Sequence, residues 1–188
     1  MRTLILIVVM LIAIPMVALA KTVTYYSPQT NLEKIDLHWL AMAQTSPAKT
    51  VYVAMYSFTD KHIARELIHL AHHGVKVYIY RDDKQMKDRT DITWMLYKVP
   101  GIQVRAKDDR GFWNIMHDKI FIIPGVVYRE GSANWSPSAE GANDYHGNSG
   151  HNEQQDNNAT YITNPTEIKQ ALRQFQHLWS RPSNIPVN

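Results

Sequence analysis

The chain has 188 residues, with 20 Lys and Arg against 17 Asp and Glu, nine His and no Cys. The lack of cysteine excludes disulfides and Cys-ligated zinc, whereas the histidines leave a His/carboxylate metal site open on composition alone. The formal net charge of +3 favours no particular partner, because nucleic-acid binders often show a stronger basic bias.

Residues 1–20 have the pattern of a secretory signal peptide. Arg2 precedes the apolar run Leu4 to Val17, and an A-x-A sequence ends at Ala20. The run is shorter than the roughly 20 residues that span a bilayer, so cleavage is favoured over retention as a membrane anchor. The sequence therefore predicts an exported protein, secreted or periplasmic, with no stable membrane anchor after cleavage and with one domain over residues 21–188.

The rest of the sequence predicts strands that alternate with helices. The evidence is alternating or β-rich apolar runs for strands, and apolar residues at helical spacing for helices. In chain order we predict strand Lys21–Ser27, helix Asn31–Gln44, strand Thr50–Tyr56, helix Thr59–His73, strand Val75–Tyr80, helix Asp91–Tyr97, strands Ile102–Ala106, Ile115–Ile123, Val126–Tyr128 and Ala159–Thr163, and helix Pro165–Trp179. This order, with a hairpin turn at Pro124-Gly125, indicates an α/β fold in which helices sandwich a mixed β-sheet.

One long segment between these elements offers almost nothing to bury. Residues 136–158 are rich in Gly, Asn, Ser, Asp and His. A loop of this length is uncommon in a compact domain and is often functional.

The predicted strand Ile115–Ile123 contains two polar groups in an apolar setting. Because side chains alternate along a strand, His117 and Lys119 are expected on one face. An apolar strand accepts an imidazole and an ammonium together only when they meet an anion or water. The pair therefore indicates either an anion site or an edge strand with a solvated His and Lys. Ser132 and Asn134, at alternating positions after the hairpin, could donate to phosphate oxygens.

These residues resemble the signature of the phospholipase D superfamily, which is H-x-K followed after a gap by G-S-x-N. The resemblance is closest to the small bacterial endonucleases of that superfamily, the Nuc-like group, which carry one motif per chain. It extends over most of residues 21–188 through three further segments, Tyr56–Thr59, Gly74–Val77 and the terminal helix with Phe175 and Trp179.

The resemblance implies a metal-independent phosphodiesterase without a cofactor, which cleaves DNA or RNA non-specifically as a homodimer with nucleic acid as its substrate. In this scheme His117 attacks phosphorus and forms a phosphohistidine, while the partner subunit's His117 protonates the leaving oxygen and then activates water. Lys119, Asn134 and Ser132 would hold the non-bridging oxygens as negative charge shifts.

The sequence departs from the family pattern at two places. Five residues after Lys119, where the family usually carries Asp, stands Pro124. The family also often places a Glu shortly before the last strand to orient the catalytic His. In the inserted segment of this chain Glu153 and Asp156 compete for that role, and Glu153 is preferred on residue type.

Three residues before the motif are candidates for substrate contacts. Lys107 and Arg110 are placed to meet a phosphate backbone. Trp113 could stack a base or be a core aromatic, and the sequence does not separate the two.

Two other groups of polar residues are predicted to lie on the solvent-exposed surface. His69 and His73 are four apart and could ligate a metal from one helix face, but a histidine-rich solvated surface is favoured. The basic run at residues 81–89 is interleaved with acids, which predicts a solvated loop.

Three other functions stay open on the sequence. A phospholipase acting on membrane lipids is the nearest enzymatic rival. A nucleic-acid-binding module of the same fold without turnover would follow from Pro124. A histidine-ligated metalloprotein would lose its activity to a chelator.

Overall fold

The computed structural model describes residues 20–108, 114–142 and 154–187. The strands are β1 Thr22–Ser27, β2 Thr50–Met55, β3 Lys76–Asp82, β4 Ile102–Lys107, β5 Lys119–Ile123, β6 Val127–Gly131, β7 Asn157–Ile162 and β8 Ile185–Pro186. The α-helices are α1 Leu32–Ala41, α2 Lys61–His72, α3 Asp83–Met86, α4 Pro137–Glu140 and α5 Pro165–Trp179, and two short 3-10 helices cover Met42–Gln44 and Thr93–Leu96.

The strands form one eight-stranded mixed sheet in the order β1-β7-β6-β5-β2-β3-β4-β8. The central strands β2, β3 and β4 run parallel, and the other pairings are antiparallel. This confirms the predicted α/β class with a mixed sheet.

Helices cover both faces of the sheet. On one face the core contains Leu32 of α1 and Leu67 of α2, both fully buried. On the other face Ile168 and Phe175 of α5 pack with Tyr80 of β3. The central strands are therefore buried on both sides, which explains why their sequences are nearly continuous apolar runs.

The helix boundaries follow the signals in the sequence. The Asp60 carboxylate accepts hydrogen bonds from the backbone N–H groups of His62 (2.7 Å) and Ile63 (3.0 Å), as an N-cap does. Gly74 follows α2 with φ +82°, a conformation that favours glycine. Helix α5 spans the predicted Pro165–Trp179.

The prediction of a strand from Ile115 was wrong at its beginning, because β5 starts at Lys119. The Met116 N–H donates to the Asp82 carboxylate at 2.8 Å, and the Lys107 ammonium donates to the Ile115 carbonyl at 2.9 Å. Side chains from the ends of β3 and β4 thus hold residues 115–116 outside the strand. The hairpin itself is confirmed, with its turn between Ile123 and Val127.

Three other expectations need correction. The helix expected over residues 91–97 is the 3-10 helix Thr93–Leu96. The segment 136–158 was expected to be loop throughout, yet it contains α4 and the first residues of β7. Arg81 does not belong to a solvated loop, because it is fully buried and forms an ion pair with Asp91. Arg81 and the equally buried Asp82 are the last two residues of β3.

The predicted signal peptide, residues 1–20, lies outside the described residues except for Ala20. Within the described ranges, no helix has the length and apolar character that crossing a membrane would require.

Candidate active site

The motif residues lie at one end of the sheet. We call it the His117 end: there β1, β2, β3, β4 and β6 finish and β5 and β7 begin. The direction of each strand follows from the pairing, since β5 runs antiparallel to both β2 and β6, and β7 antiparallel to both β6 and β1. Several chain segments therefore bring their terminal side chains to this one place.

Lys119 is the first residue of β5 and is paired with Met55 of β2. Its side chain is buried, with 7% of the residue exposed, and its ammonium donates to the His117 carbonyl at 2.7 Å. The ammonium also lies 5.2 Å from the centre of the Tyr56 ring. Burial lowers the pKa of Lys119 to about 8.

His117 stands next to this lysine with an exposed side chain. Its ring centre lies 4.6 Å from that of Tyr56, so His117 and Lys119 contact the same aromatic ring. Partial burial and then the positive charge of Lys119 lower the pKa of His117 below its usual value of 6.5. The two residues lie together as the sequence predicts, but not through strand alternation, because His117 precedes β5. The Lys119 ammonium binds the His117 carbonyl, and both side chains contact the Tyr56 ring.

Asn134 lies in the segment after β6, against the loop that follows β2. Its side-chain oxygen accepts a hydrogen bond from the Ser57 N–H at 3.1 Å. Ser57 directly follows Tyr56, so this bond joins the G-S-x-N segment to the residue that His117 and Lys119 contact. The Asn134 side-chain NH2 group is left to donate.

Ser132 is exposed and is engaged with β7. Its hydroxyl donates to the Asn157 side-chain oxygen at 2.9 Å and accepts from the Asn158 N–H at 3.0 Å. Together with Asp156 and Tyr26, these residues line a shallow groove at the His117 end of the sheet. The structure thus places Asp156 beside Ser132, while Glu153 lies outside the described residues.

Of the three candidates for substrate contacts, only Lys107 lies in a described segment; Arg110 and Trp113 lie outside. The Lys107 ammonium is bonded to the Ile115 carbonyl. Its contribution in this structure is to hold the segment that leads into His117.

Sequence reasoning missed three residues that build the site. Tyr56 provides the ring between His117 and Lys119. Asp82 accepts from the backbone next to His117. Arg129 is fully buried and donates to the carbonyls of Lys119 (2.8 Å) and Ala133 (3.0 Å). Tyr56 and Asp82 lie at or beside the end of a strand that finishes at the His117 end, whereas Arg129 lies inside β6. No local pattern in the sequence marks the roles of these three residues.

Two groups of side chains could be considered for a metal. His69 and His73 are both exposed, with ring centres 4.2 Å apart, and the His73 Nδ1 lies 2.8 Å from the His69 carbonyl oxygen. This agrees with the solvated helix surface that we favoured. Glu33, Asp60 and His62, which the sequence did not single out as a group, each place one potential ligand atom within 4.8 Å of the others.

A mixed sheet that presents a His-x-Lys pair beside a G-S-x-N segment defines the phospholipase D class of fold. Residues 39–179 match the family model described as "Cardiolipin synthase, PLD-like domain". The chain belongs to this family, and so to the phospholipase D-like superfamily of phosphodiesterases, with the fold of its Nuc-like group.

Two solved structures show the same fold. NucT from Helicobacter pylori superposes with a TM-score of 0.72 and 23% identity, over 89% of this chain and 99% of that one. Nuc from Salmonella typhimurium, a phospholipase D family member, superposes with a TM-score of 0.70 and 23% identity, over 90% and 99% of the two chains.

One curated protein is also similar to this chain in sequence. The mitochondrial cardiolipin hydrolase of Chlamydomonas reinhardtii is 28% identical over 135 residues, which are 71% of this chain and 53% of that protein. The chain therefore spans about half the length of the curated relative it matches.

Proposed function

We propose that this protein is a metal-independent endonuclease that hydrolyses DNA or RNA phosphodiesters through a phosphohistidine at His117. The observation that carries the proposal is the exposed His117 imidazole beside the buried ammonium of Lys119. Partial burial and, after it, the charge of Lys119 lower the pKa of His117, which favours the neutral imidazole that a nucleophile must be.

The proposed reaction has two displacements at phosphorus. In the first, a ring nitrogen of His117 forms a bond to phosphorus, and the bond to the leaving oxygen breaks. The partner subunit's His117, as an imidazolium, gives that oxygen its proton. In the second, water loses a proton to that same imidazole and attacks phosphorus, which releases the first His117.

The negative charge on the non-bridging oxygens needs fixed donors. Lys119 supplies a positive charge at the site, and Asn134 supplies an amide whose oxygen is already occupied by the Ser57 N–H. Ser132, which lines the groove, is a third candidate donor if substrate replaces Asn157 as the partner of its hydroxyl. Positive charge already built into the site explains how such a reaction proceeds without a cation.

Two further parts of the proposal rest on the family resemblance, and a third rests on the sequence of residues 1–20. The protein acts as a homodimer, since one chain carries one motif. It is exported, as residues 1–20 indicate, and works in the periplasm or outside the cell. Either Glu153 or Asp156 orients His117.

The test is cleavage of plasmid DNA, single-stranded DNA and RNA in excess EDTA. We expect cleavage by the wild-type chain and a loss of at least about 10²-fold in His117→Ala. His177→Ala is the matched control, because His177 is exposed on α5, on the helix that covers the opposite face from α1 and α2. Cleavage that survives in His117→Ala would overturn the proposed mechanism. So would cleavage that disappears in EDTA while circular dichroism shows that the chain is still folded.

A lipid phosphodiesterase is the second candidate, favoured by the similarity to a cardiolipin hydrolase. Incubation of the same purified proteins with cardiolipin vesicles distinguishes the lipid phosphodiesterase from the nuclease. Release of phosphatidic acid without any nucleic-acid cleavage would replace the nuclease assignment and keep the His117 mechanism.

A further inference from the structure

A second group of ionisable side chains lies where α1, α2 and α4 meet. Glu33 stands in the first turn of α1, Asp60 is the N-cap of α2, and His62 follows in the first turn of that helix. The His62 Nδ1 lies 2.9 Å from a Glu33 carboxylate oxygen. One potential ligand atom from each of the three residues lies within 4.8 Å of the others, which is the spacing found around a bound metal ion.

The carboxylates in this group are buried and incompletely paired. Glu33 is 8% exposed and Asp60 is 1% exposed. The Asp60 Oδ1 caps α2, but its Oδ2 accepts no hydrogen bond from an N–H or hydroxyl group of the described residues. Burying a carboxylate oxygen without a partner costs free energy, so we expect a proton or an ion to lie against it.

Glu140, at the end of α4, provides an independent indication of a missing partner. Its side chain is fully buried, and neither carboxylate oxygen has a hydrogen-bond partner among the described residues. The Glu140 carboxyl faces that of Asp60 at hydrogen-bonding range, and burial raises the pKa of Glu140 well above its usual value. Two ionised carboxylates cannot donate to each other, so either a proton held by Glu140 or a cation must lie between the two groups. Glu140 is thus aimed at the open side of Asp60.

The neighbouring cation does not balance these charges. Arg129 lies 3.4 Å from the Asp36 carboxylate, and it donates to two backbone carbonyls. Asp36 therefore already uses this guanidinium, whose charge also acts on Glu140. One buried guanidinium thus faces a group of four carboxyl side chains, those of Glu33, Asp36, Asp60 and Glu140. A divalent cation would compensate both the charge and the unpaired oxygens.

We propose that Glu33, Asp60 and His62 bind a first-row divalent transition metal, of the Zn2+ or Mn2+ type, with Glu140 completing the charge balance behind Asp60. Two carboxylates and one imidazole are a ligand set that such ions accept. His62 is largely exposed and gives the ion a route from solvent. The ion joins α1 to the N-terminus of α2, and through Asp60 to the segment that bears Tyr56. Its role is structural, so it stands apart from the metal-independent reaction proposed above.

The test is thermal unfolding of the full chain, first treated with EDTA and freed of it, with and without Zn2+ or Mn2+. We expect either ion at saturation to raise the Tm by about 5 °C. The rise disappears in Glu33→Gln, which keeps the shape of the side chain and removes its charge. It also disappears in His62→Ala, whose exposed side chain folding does not require.

His69→Ala is the matched control, since it removes an exposed histidine from the same helix outside the group. It keeps the full rise in Tm if the proposal holds. The proposal is overturned if neither ion raises the Tm, if Glu33→Gln and His62→Ala respond as the wild type does, or if His69→Ala abolishes the response. Nucleic-acid cleavage plays no part in this readout, so the nuclease proposal stands or falls separately.

Discussion

The chemistry at His117 depends on the protonation states of His117 and Lys119. The reaction proposed here needs a neutral imidazole, an imidazolium on the partner subunit and a charged Lys119. Burial lowers the pKa of Lys119 to about 8 and that of His117 below 6.5, whereas the negative charge of Asp118 raises both. Activity is therefore lost at low pH, where the nucleophile is protonated. It is also lost as the pH rises, first where the partner subunit's imidazolium gives up its proton and then above about pH 8, where Lys119 becomes neutral.

Asp118→Asn is expected to move both limbs of this profile to lower pH. Removal of the negative charge leaves the protonated forms of His117 and Lys119 less stable, so the pKa of each group falls and each loses its proton at a lower pH. Because Asp118 is exposed and its effect is screened by solvent, we expect a shift of about 0.5 pH unit. The measurement is kcat/KM against pH on a nucleic-acid substrate.

Glu66→Gln, which removes an acid from α2, is the control, and we expect its profile of kcat/KM against pH to match that of the wild type. If the Asp118→Asn profile stays in place or moves to higher pH, the electrostatic account of the pair is wrong.

At the scale of elements, one buried network fixes the strand ends that carry the motif. The Asp36 carboxylate on α1 accepts from the Trp135 indole at 2.8 Å and from the Tyr161 hydroxyl at 2.5 Å. It lies 3.4 Å from Arg129, which in turn binds the Lys119 carbonyl. The network thus ties α1 to β5, β6 and β7, and it sets the position of Lys119 from behind.

Arg129→Met should destabilise the fold by about 3–5 kcal/mol, because it leaves the buried Asp36 carboxylate without its counter-ion. Urea unfolding measures the change. Arg173→Met is the matched control, since Arg173 is exposed on α5, and a change within about 0.5 kcal/mol is expected. A cost below about 1 kcal/mol for Arg129→Met would show that the ion pair is not important for stability.

The elements themselves were largely predictable, and the failures share one cause. Helix α5 has Pro165 at its start and regular apolar spacing, so local pattern alone defines it. Residues 115–118 read as strand because their own composition suits one, but Lys107 and Asp82 hold the start of that segment outside the ladder. The sequence around Arg81 predicted a solvated loop because its buried ion-pair partner, Asp91, lies ten residues further along the chain. Partners from elsewhere in the chain leave no local signal.

At the scale of the molecule, the sheet order explains why motifs far apart in sequence form one site. The parallel strands β2 to β4 finish at the His117 end, and antiparallel pairing brings the start of β5 and the finish of β6 there. The H-x-K and G-S-x-N motifs identify that site from sequence. Tyr56 and Asp82 could not be assigned in the same way, because their roles follow from strand order.

One motif per chain makes the whole molecule half of the proposed site, and this gives a quantitative prediction for mixed subunits. If each reaction uses His117 from both chains, a heterodimer of wild type and His117→Ala has no complete site. Wild-type chains co-refolded with an equal amount of His117→Ala chains should then show about one quarter of the activity of the same total protein in wild-type form, since only pairs of wild-type chains are active. Co-refolding with His177→Ala should leave the activity unchanged. A fall to about one half would mean that each chain works alone, and the homodimeric site would have to be abandoned.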